Sequence, residues 1–512
     1  MRTTLRLVYV LAILRFIFPY IIQDSFYQPH RDEFLYLFEG HHLAWGYMEI
    51  PPLLAVLAKT VHWLGDGFFW IKFWPSVFGS LTLILVGKMV VSLGGRIIAV
   101  VLSALPFFNG VYLRLFFLFQ PNSLDVFFWT ALAYCILRYI QSQNRKWLYG
   151  FGICVGLGMM SKYSTAFYSL ALLLGLLFTK QRRIYLQKDF YIAMAMSFFI
   201  FLPNLIWQYN HRFPVIHHMQ ELQEEQLRFI GPIRFLVSQM LMNLASVFVW
   251  VAGFIFVAFS RQAGPYRWLA WSYLNVIVLL VILHGKDYYA LGAYPALYAF
   301  GGYRLEQLTQ LRWRWTRYVM ITVSLLFGLL ILPLMLPVAK PGELAAYFER
   351  SHLNEGGGFT WEDLKLHPLP QDYADMMGWK EMAEKTAAAY HHLSPEMQQQ
   401  TMIYCRGYYF AGALNYYGPA LKLPEVYSDH ASFLLWMPDR YNIKHLMIVA
   451  HNIPEPDDKV FQQFEKLSLL DSLQNPLARE NGVRIMFFEN GNDSLNSILD
   501  TGVARLKAVY KR

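Results

Sequence analysis

Long apolar runs separated by short polar breaks fill the first two-thirds of the chain. A membrane-spanning helix needs about 20 mostly apolar residues. Runs of this kind lie at roughly 5–23, 70–93, 96–113, 122–141, 147–161, 163–179, 190–208, 233–259, 267–284, 288–303 and 317–338, which predicts about eleven transmembrane helices. Residues 51–64 are apolar but too short to span and carry Lys59 and His62, the pattern of a helix lying in the interface. Beyond residue 340 the long runs stop and charge rises. Strand-like runs at Met402–Tyr404, His445–Val449 and Val483–Phe488 then alternate with amphipathic stretches at Trp379–His391 and Lys459–Leu470, which predicts a small α/β domain. The pattern divides the chain into a polytopic α-helical membrane domain, 1–339, with a first external loop at 24–69, and an α/β domain, 340–512.

Composition agrees. Of the 512 residues 56% are hydrophobic and 15% charged, against about 25% charged in soluble domains. The net charge of +9 is accounted for by basic cytoplasmic loops rather than by nucleic acid. The Lys/Arg bias sets the orientation. With the N-terminus and its Arg2 and Arg6 in the cytoplasm, even-numbered helices return the chain to loops holding Arg96; Arg138, Arg145 and Lys146; Lys180, Arg182, Arg183 and Lys188; Arg261 and Arg267; and Arg304, Arg312, Arg314 and Arg317. The opposite loops hold scattered cations: Arg31, Arg114, Lys162, Arg212 and Lys286. The α/β domain falls on that opposite side. Three separated cysteines, Cys135, Cys154 and Cys405, do not suggest a disulfide framework. No cleavage site follows the first apolar run, so it reads as an uncleaved helix.

Candidate chemistry collects on the non-cytoplasmic face. The loop RDEFLYLFEGHHLAWGYMEIPPLL carries Asp32, Glu33 and Glu49 among aromatics that include Tyr36. A carboxylate at a membrane surface suits a general base acting on a sugar or lipid hydroxyl; an acidic pair favoured by a helix dipole, or an ordinary interfacial loop, is the competing reading. Asp125 lies one turn into an apolar helix, where a charge needs a reason. Lys162, the His211-Arg212 pair and Lys286-Asp287 place cations where a lipid phosphate would lie, although snorkelling also explains a lysine near a membrane boundary. GYYFAGALNYYG (407–418) follows a strand and opens a helix without the glycine spacing of a dinucleotide site. No Walker sequence, zinc spacing, haem motif or nucleophilic Ser or Cys motif is present.

The motifs RDEFLYLFEGHHLAWGYMEIPPLLA, QPNSLDVFFW, GLGMMSKYS, FLPNLIWQYNHRFP and KDYYALGAYPALYA, in that order from Arg31 to Ala299, resemble those of bacterial C-type membrane glycosyltransferases similar to dolichyl-phosphate-mannose protein mannosyltransferases and lipid A aminoarabinose transferases. DMMGWKEMA and LNYYGPALKLPEVYSDHASFLLW resemble the periplasmic domain of one bacterial branch. The resemblance implies inverting transfer of a sugar from a polyprenyl-phosphate donor to a lipid or glycan acceptor (lipid A, another envelope glycan or protein), in the bacterial inner membrane, with a cytoplasmic N-terminus and a periplasmic C-terminal domain. It matches the family's catalytic Asp to Asp32, with Glu33 beside it. It matches the second acidic position to Glu49, a metal ligand in some members, leaving open a divalent cation (magnesium, manganese or zinc) and no other cofactor. It matches the third-loop acid to Asp125, expected with Tyr36 and His211 to order the loop or meet the acceptor. Where aminoarabinose transferases place Lys after the Glu, this chain has Ile50, so the donor phosphate is expected to fall to Lys162, Arg212 or Lys286. The rivals are a transporter, disfavoured by the absence of a repeat and the one-sided charges, and a non-catalytic lipid-binding protein.

Overall fold

The computed structural model describes residues 1–225, 227–311, 313–355, 357–453 and 458–510. Arg312, counted above among the basic loops, lies outside them. The predicted spans all fall on helices, but not on eleven uniform ones. Among the described residues, six helices are long and apolar enough to cross a membrane, beginning with α1 (Arg2–Ile22) and including Phe68–Ser92 and Pro121–Ser142. The predicted span 233–259 is a pair, Pro232–Met242 and Leu244–Phe259, bent by 59°. The predicted span 96–113 breaks after Ala104 at Pro106, where a proline removes a helical donor. The predicted span 288–303 begins as a 3-10 turn before Tyr294–Leu308.

The short helices are held by close backbone packing. A Cβ on Gly253 would lie 2.0 Å from the Leu297 carbonyl oxygen, and one on Gly301 only 1.8 Å from that of Val249. Only glycine lets Val247–Phe259 and Tyr294–Leu308 cross this closely, the small-residue packing expected where helices associate without a hydrophobic driving force.

Two more helices organise the first loop. The segment α2 (Arg31–Glu39) starts with a reciprocal cap: His30 Nδ1 accepts from the Asp32 N–H (3.2 Å) and Glu33 Oε2 from the His30 N–H (2.6 Å). The predicted interfacial helix is α3 (Leu53–Trp63).

The C-terminal domain has a five-stranded sheet of order β2-β1-β3-β5-β4, with β1 (Thr401–Cys405), β2 (Val426–Tyr427), β3 (His445–Ala450), β4 (Phe464–Ser472) and β5 (Arg484–Gly491). The strands β2, β1 and β3 are parallel; β5 is antiparallel to both β3 and β4. The three predicted strands and the helix Trp379–His391 are present. The helix expected at Lys459–Leu470 is not: most of it is the edge strand β4, paired Lys466 to Glu489 and Leu469 to Met486. Its amphipathic spacing fits either element, and pairing with β5 decides.

The first loop is built into this domain. Phe34 and Leu35 of α2 share a core with Trp379, Ile403, Phe410 and Met447. Met48 joins the core on the opposite sheet face, with Leu434, Ile448 and Phe488. Full burial of such side chains contributes roughly 1.5–3 kcal/mol each, so loop and domain form one body.

Candidate active site

Asp32 occupies the first turn of α2, where free N–H groups and the helix dipole favour an anion. Its side chain is 31% exposed. Oδ1 accepts from the Tyr408 hydroxyl at 2.7 Å, and Oδ2 accepts a longer contact from Gln120 Nε2 at 3.4 Å. Burial pushes its pKa up; His30, Arg31, the Tyr408 hydrogen bond and Lys286 outweigh it and leave the carboxylate below its ordinary range. A base so placed is charged at neutral pH.

Glu33, expected beside Asp32 in catalysis, is instead enclosed. It is 0% exposed, and Lys72 Nζ sits 2.6 Å from each of its oxygens. It also accepts from the His30 and Phe119 backbone N–H groups (2.6 and 2.5 Å). Every strong acceptor site is used, so Glu33 positions α2 against the helix Phe68–Ser92 and the loop at 118–120 and cannot reach a substrate.

Lys286 acts on Asp32 directly, and Lys162 is linked to it through two side chains. A side-chain chain runs from Lys162 Nζ to Asn122 Oδ1 (2.7 Å), from Asn122 Nδ2 to Gln120 Oε1 (3.1 Å), and from Gln120 Nε2 to Asp32. The Lys162 ammonium lies 4.5 Å from the centre of the Tyr289 ring. Burial lowers the pKa of Lys162, and repulsion from Lys286 adds to this against the pull of Asp125. Burial likewise lowers Lys286, offset by Glu362 and Asp32. Neither lysine forms an ion pair among the described residues. Two cations held close together without a paired anion make a site that an anionic group would stabilise.

The other expected residues divide. Asp125 accepts from Ser164 Oγ (2.8 Å) and Thr165 Oγ1 (3.3 Å), so it orders the loop that carries Lys162 rather than the first loop. Tyr36 lies within the electrostatic reach of Asp32, Tyr408, Glu39 and Glu49. His211 turns away: it stacks on Trp207 at 4.0 Å and its Nδ1 is 2.8 Å from that residue's carbonyl oxygen. Arg212 also leaves the site, bordering a cleft with Asp439, Ala504 and Lys507. Its φ of 58° ends the helix there and redirects the chain.

Glu49, the expected metal ligand, docks the first loop on the α/β domain. Its Oε1 accepts from the Ser432 N–H and its Oε2 from the Ser432 hydroxyl, both at 2.6 Å. Among the described residues the close metal-ligand grouping is His30, Asp372 and Asp375 instead. Arg479 lies 3.3 Å from Asp375 and Arg114 2.8 Å from Asp372, so guanidinium groups already supply the positive charge and no metal is assigned. Sequence reading missed Glu39, which is fully buried beside Glu49. Burial and the Glu49 charge drive its pKa well up. It also missed Tyr408 and Gln120, both inside quoted motifs but with no local signal for their long-range partners.

An apolar cavity of about 480 Å³ ends at Gly285 and Tyr289, beside the lysines, and is walled by Phe167, Ile216, Met219 and Leu280.

The fold is similar to that of solved ArnT structures, and part of the chain resembles a mannosyltransferase family. The chain is similar to ArnT from Cupriavidus metallidurans bound to undecaprenyl phosphate (TM-score 0.65, 13% identity, covering 94% of this chain and 97% of that one) and in the apo state (TM-score 0.62, 14% identity, 94% and 97%). Residues 49–207 match the family described as dolichyl-phosphate-mannose-protein mannosyltransferase. Lipid A galacturonosyltransferase RgtD of Rhizobium johnstonii is 25% identical over 273 residues, 49% of this chain and 54% of that protein, so this chain spans about half the length of the curated relative it matches. The expected resemblance is borne out in family match and in fold alike.

Proposed function

We propose that this protein is a bacterial inner-membrane glycosyltransferase that moves a sugar from a polyprenyl-phosphate donor to an envelope acceptor of the lipid A class, on the periplasmic face and with inversion. The observation that carries the reading is a charged, part-exposed Asp32 that feels Lys286 and is linked to Lys162 through Gln120 and Asn122, with an apolar cavity bordered by Gly285 and Tyr289 next to the two lysines. An apolar tail fits the cavity and a phosphate fits the lysines. The ligand named for the ArnT structure and the substrate named for RgtD support the same chemistry.

In this scheme Asp32 takes the proton of the acceptor hydroxyl as its oxygen attacks the anomeric carbon. The bond to the donor phosphate breaks and polyprenyl phosphate leaves. A phosphate leaving group needs little protonation at neutral pH, so Lys162 and Lys286 serve by stabilising the departing charge. No step is assigned to a metal.

The test compares lipid-linked sugars in membranes of cells expressing wild type or Asp32→Asn at matched protein levels. Accumulation of one polyprenyl-phosphate sugar in the mutant alone supports the reading and names the donor. Equal levels with an active wild type would remove Asp32 as the base.

A further inference from the structure

The GYYF motif (407–410) lies in the α/β domain. It begins the helix Tyr408–Tyr417, just beyond β1, and that helix packs on α2. Gly412 makes the approach possible: a Cβ there would lie 2.9 Å from Phe34 Cβ and 3.0 Å from its carbonyl carbon. The contact places the Tyr408 hydroxyl 2.7 Å from Asp32 Oδ1, across 376 residues of sequence. The neighbouring ring is used as well. The Arg31 guanidinium lies over Tyr409 at 4.0 Å from the ring centre and reaches Asp375 at 3.8 Å. Asp375 is in turn held by Arg479, whose other nitrogen meets Glu362 at 2.6 Å.

We propose that Tyr408 of the C-terminal domain is a positioning residue of the active centre: its hydroxyl fixes one oxygen of Asp32 and leaves Oδ2, which has the long Gln120 contact and the His30 ring at 3.9 Å but no short side-chain hydrogen bond among the described residues, to accept the proton. The proposal rests on Asp32 being the base. The active centre is then shared between the membrane domain and the α/β domain, and the domain is a working part of the site rather than an appendage. Asp32 faces His30, Arg31 and Tyr36 from its own segment, Tyr408 from the domain, Gln120 from the loop before Pro121, and Lys286 and Tyr288 from the segment around Asp287. Of these, Tyr408 alone gives it a short side-chain hydrogen bond among the described residues.

The test uses the full chain in nanodiscs and does not require a known donor. A water-soluble carbodiimide modifies protonated carboxyl groups, so the pH dependence of Asp32 labelling, read by peptide mass spectrometry, gives its titration midpoint. Tyr408→Phe is expected to raise that midpoint by about one pH unit, the tenfold effect of losing a hydrogen bond to a charged group. Tyr404→Phe, which removes a hydroxyl bonded to Asp429 in the same domain, is expected to leave it unchanged. Gly412→Ala keeps the hydroxyl but pushes the helix off Phe34, and is expected to shift the midpoint in the same direction; it serves also if Tyr408→Phe folds poorly. With the lipid that accumulates in Asp32→Asn cells as donor, Tyr408→Phe is expected to lose about tenfold in kcat with little change in KM. Midpoints matching wild type in both variants would overturn the proposal. A shifted midpoint alongside an Asp32→Asn protein that remains active would instead retire the base assignment and leave the contact standing.

Discussion

Replacing Lys72 with Met isolates what holds the catalytic loop to the membrane domain. Glu33 is 0% and Lys72 1% exposed. With Lys72→Met the Glu33 carboxylate loses both 2.6 Å contacts and stays buried, keeping only the His30 and Phe119 N–H groups. An uncompensated buried charge costs about 3–5 kcal/mol. The double variant Glu33→Gln/Lys72→Met removes the charge as well. Its amide oxygen can serve one of the two backbone N–H groups and its NH₂ cannot serve the other, so the double retains one lost hydrogen bond, about 1–3 kcal/mol. The single variant is therefore expected to be the less stable of the two by roughly 2 kcal/mol. Equilibrium unfolding in mixed micelles, scored for all four corners of the cycle, measures this. A Lys72→Met protein within about 1 kcal/mol of wild type, or a double variant no better than the single, would refute the account of Glu33 as a buried, charged anchor.

Three further outcomes follow from the same geometry. Lys162→Ala and Lys286→Ala are each expected to weaken binding of undecaprenyl phosphate, measured by native mass spectrometry, on the order of tenfold, whereas Arg212→Ala is expected to leave it unchanged because Arg212 borders a different cleft. Ser432→Ala removes the hydroxyl that donates to Glu49; about 1.5–3 kcal/mol of loop docking should be lost, read as faster hydrogen exchange across 41–50. Burial raises the pKa of Asp375 to about 6 against the pull of His30, Arg31 and Arg479. The unfolded chain ionises this carboxyl near its ordinary value, so between about pH 4 and pH 6 the folded state binds more protons and stability from this group falls as pH rises. Asp375→Asn should flatten that part of the curve, and unchanged slopes would count against a raised Asp375.

The parts of the site that were legible in the sequence are those whose chemistry is local. Asp32 is visible because a carboxylate at the start of a polar loop between apolar runs has few structural uses. Lys162 and Lys286 are visible because cations at helix junctions on the sparsely basic face stand out. Glu33 and Glu49 look the same in sequence as Asp32, and what separates them is partner supply: Lys72 from another helix, and the Ser432 N–H and hydroxyl from the other end of the chain. Arg212 fails for the complementary reason. Its motif is right, but a backbone turn at φ 58° sends it elsewhere. The same argument explains β4, whose amphipathic spacing became a strand only because β5 offered a free edge. Apart from Arg212, each difference lies where a residue's role is set by a partner elsewhere in the chain, and Tyr408 is the extreme case. If that contact sets the geometry of Asp32, the base cannot be fully formed until the last 170 or so residues have folded around α2, and a chain truncated before the α/β domain should insert in the membrane yet leave Asp32 without its short side-chain hydrogen bond.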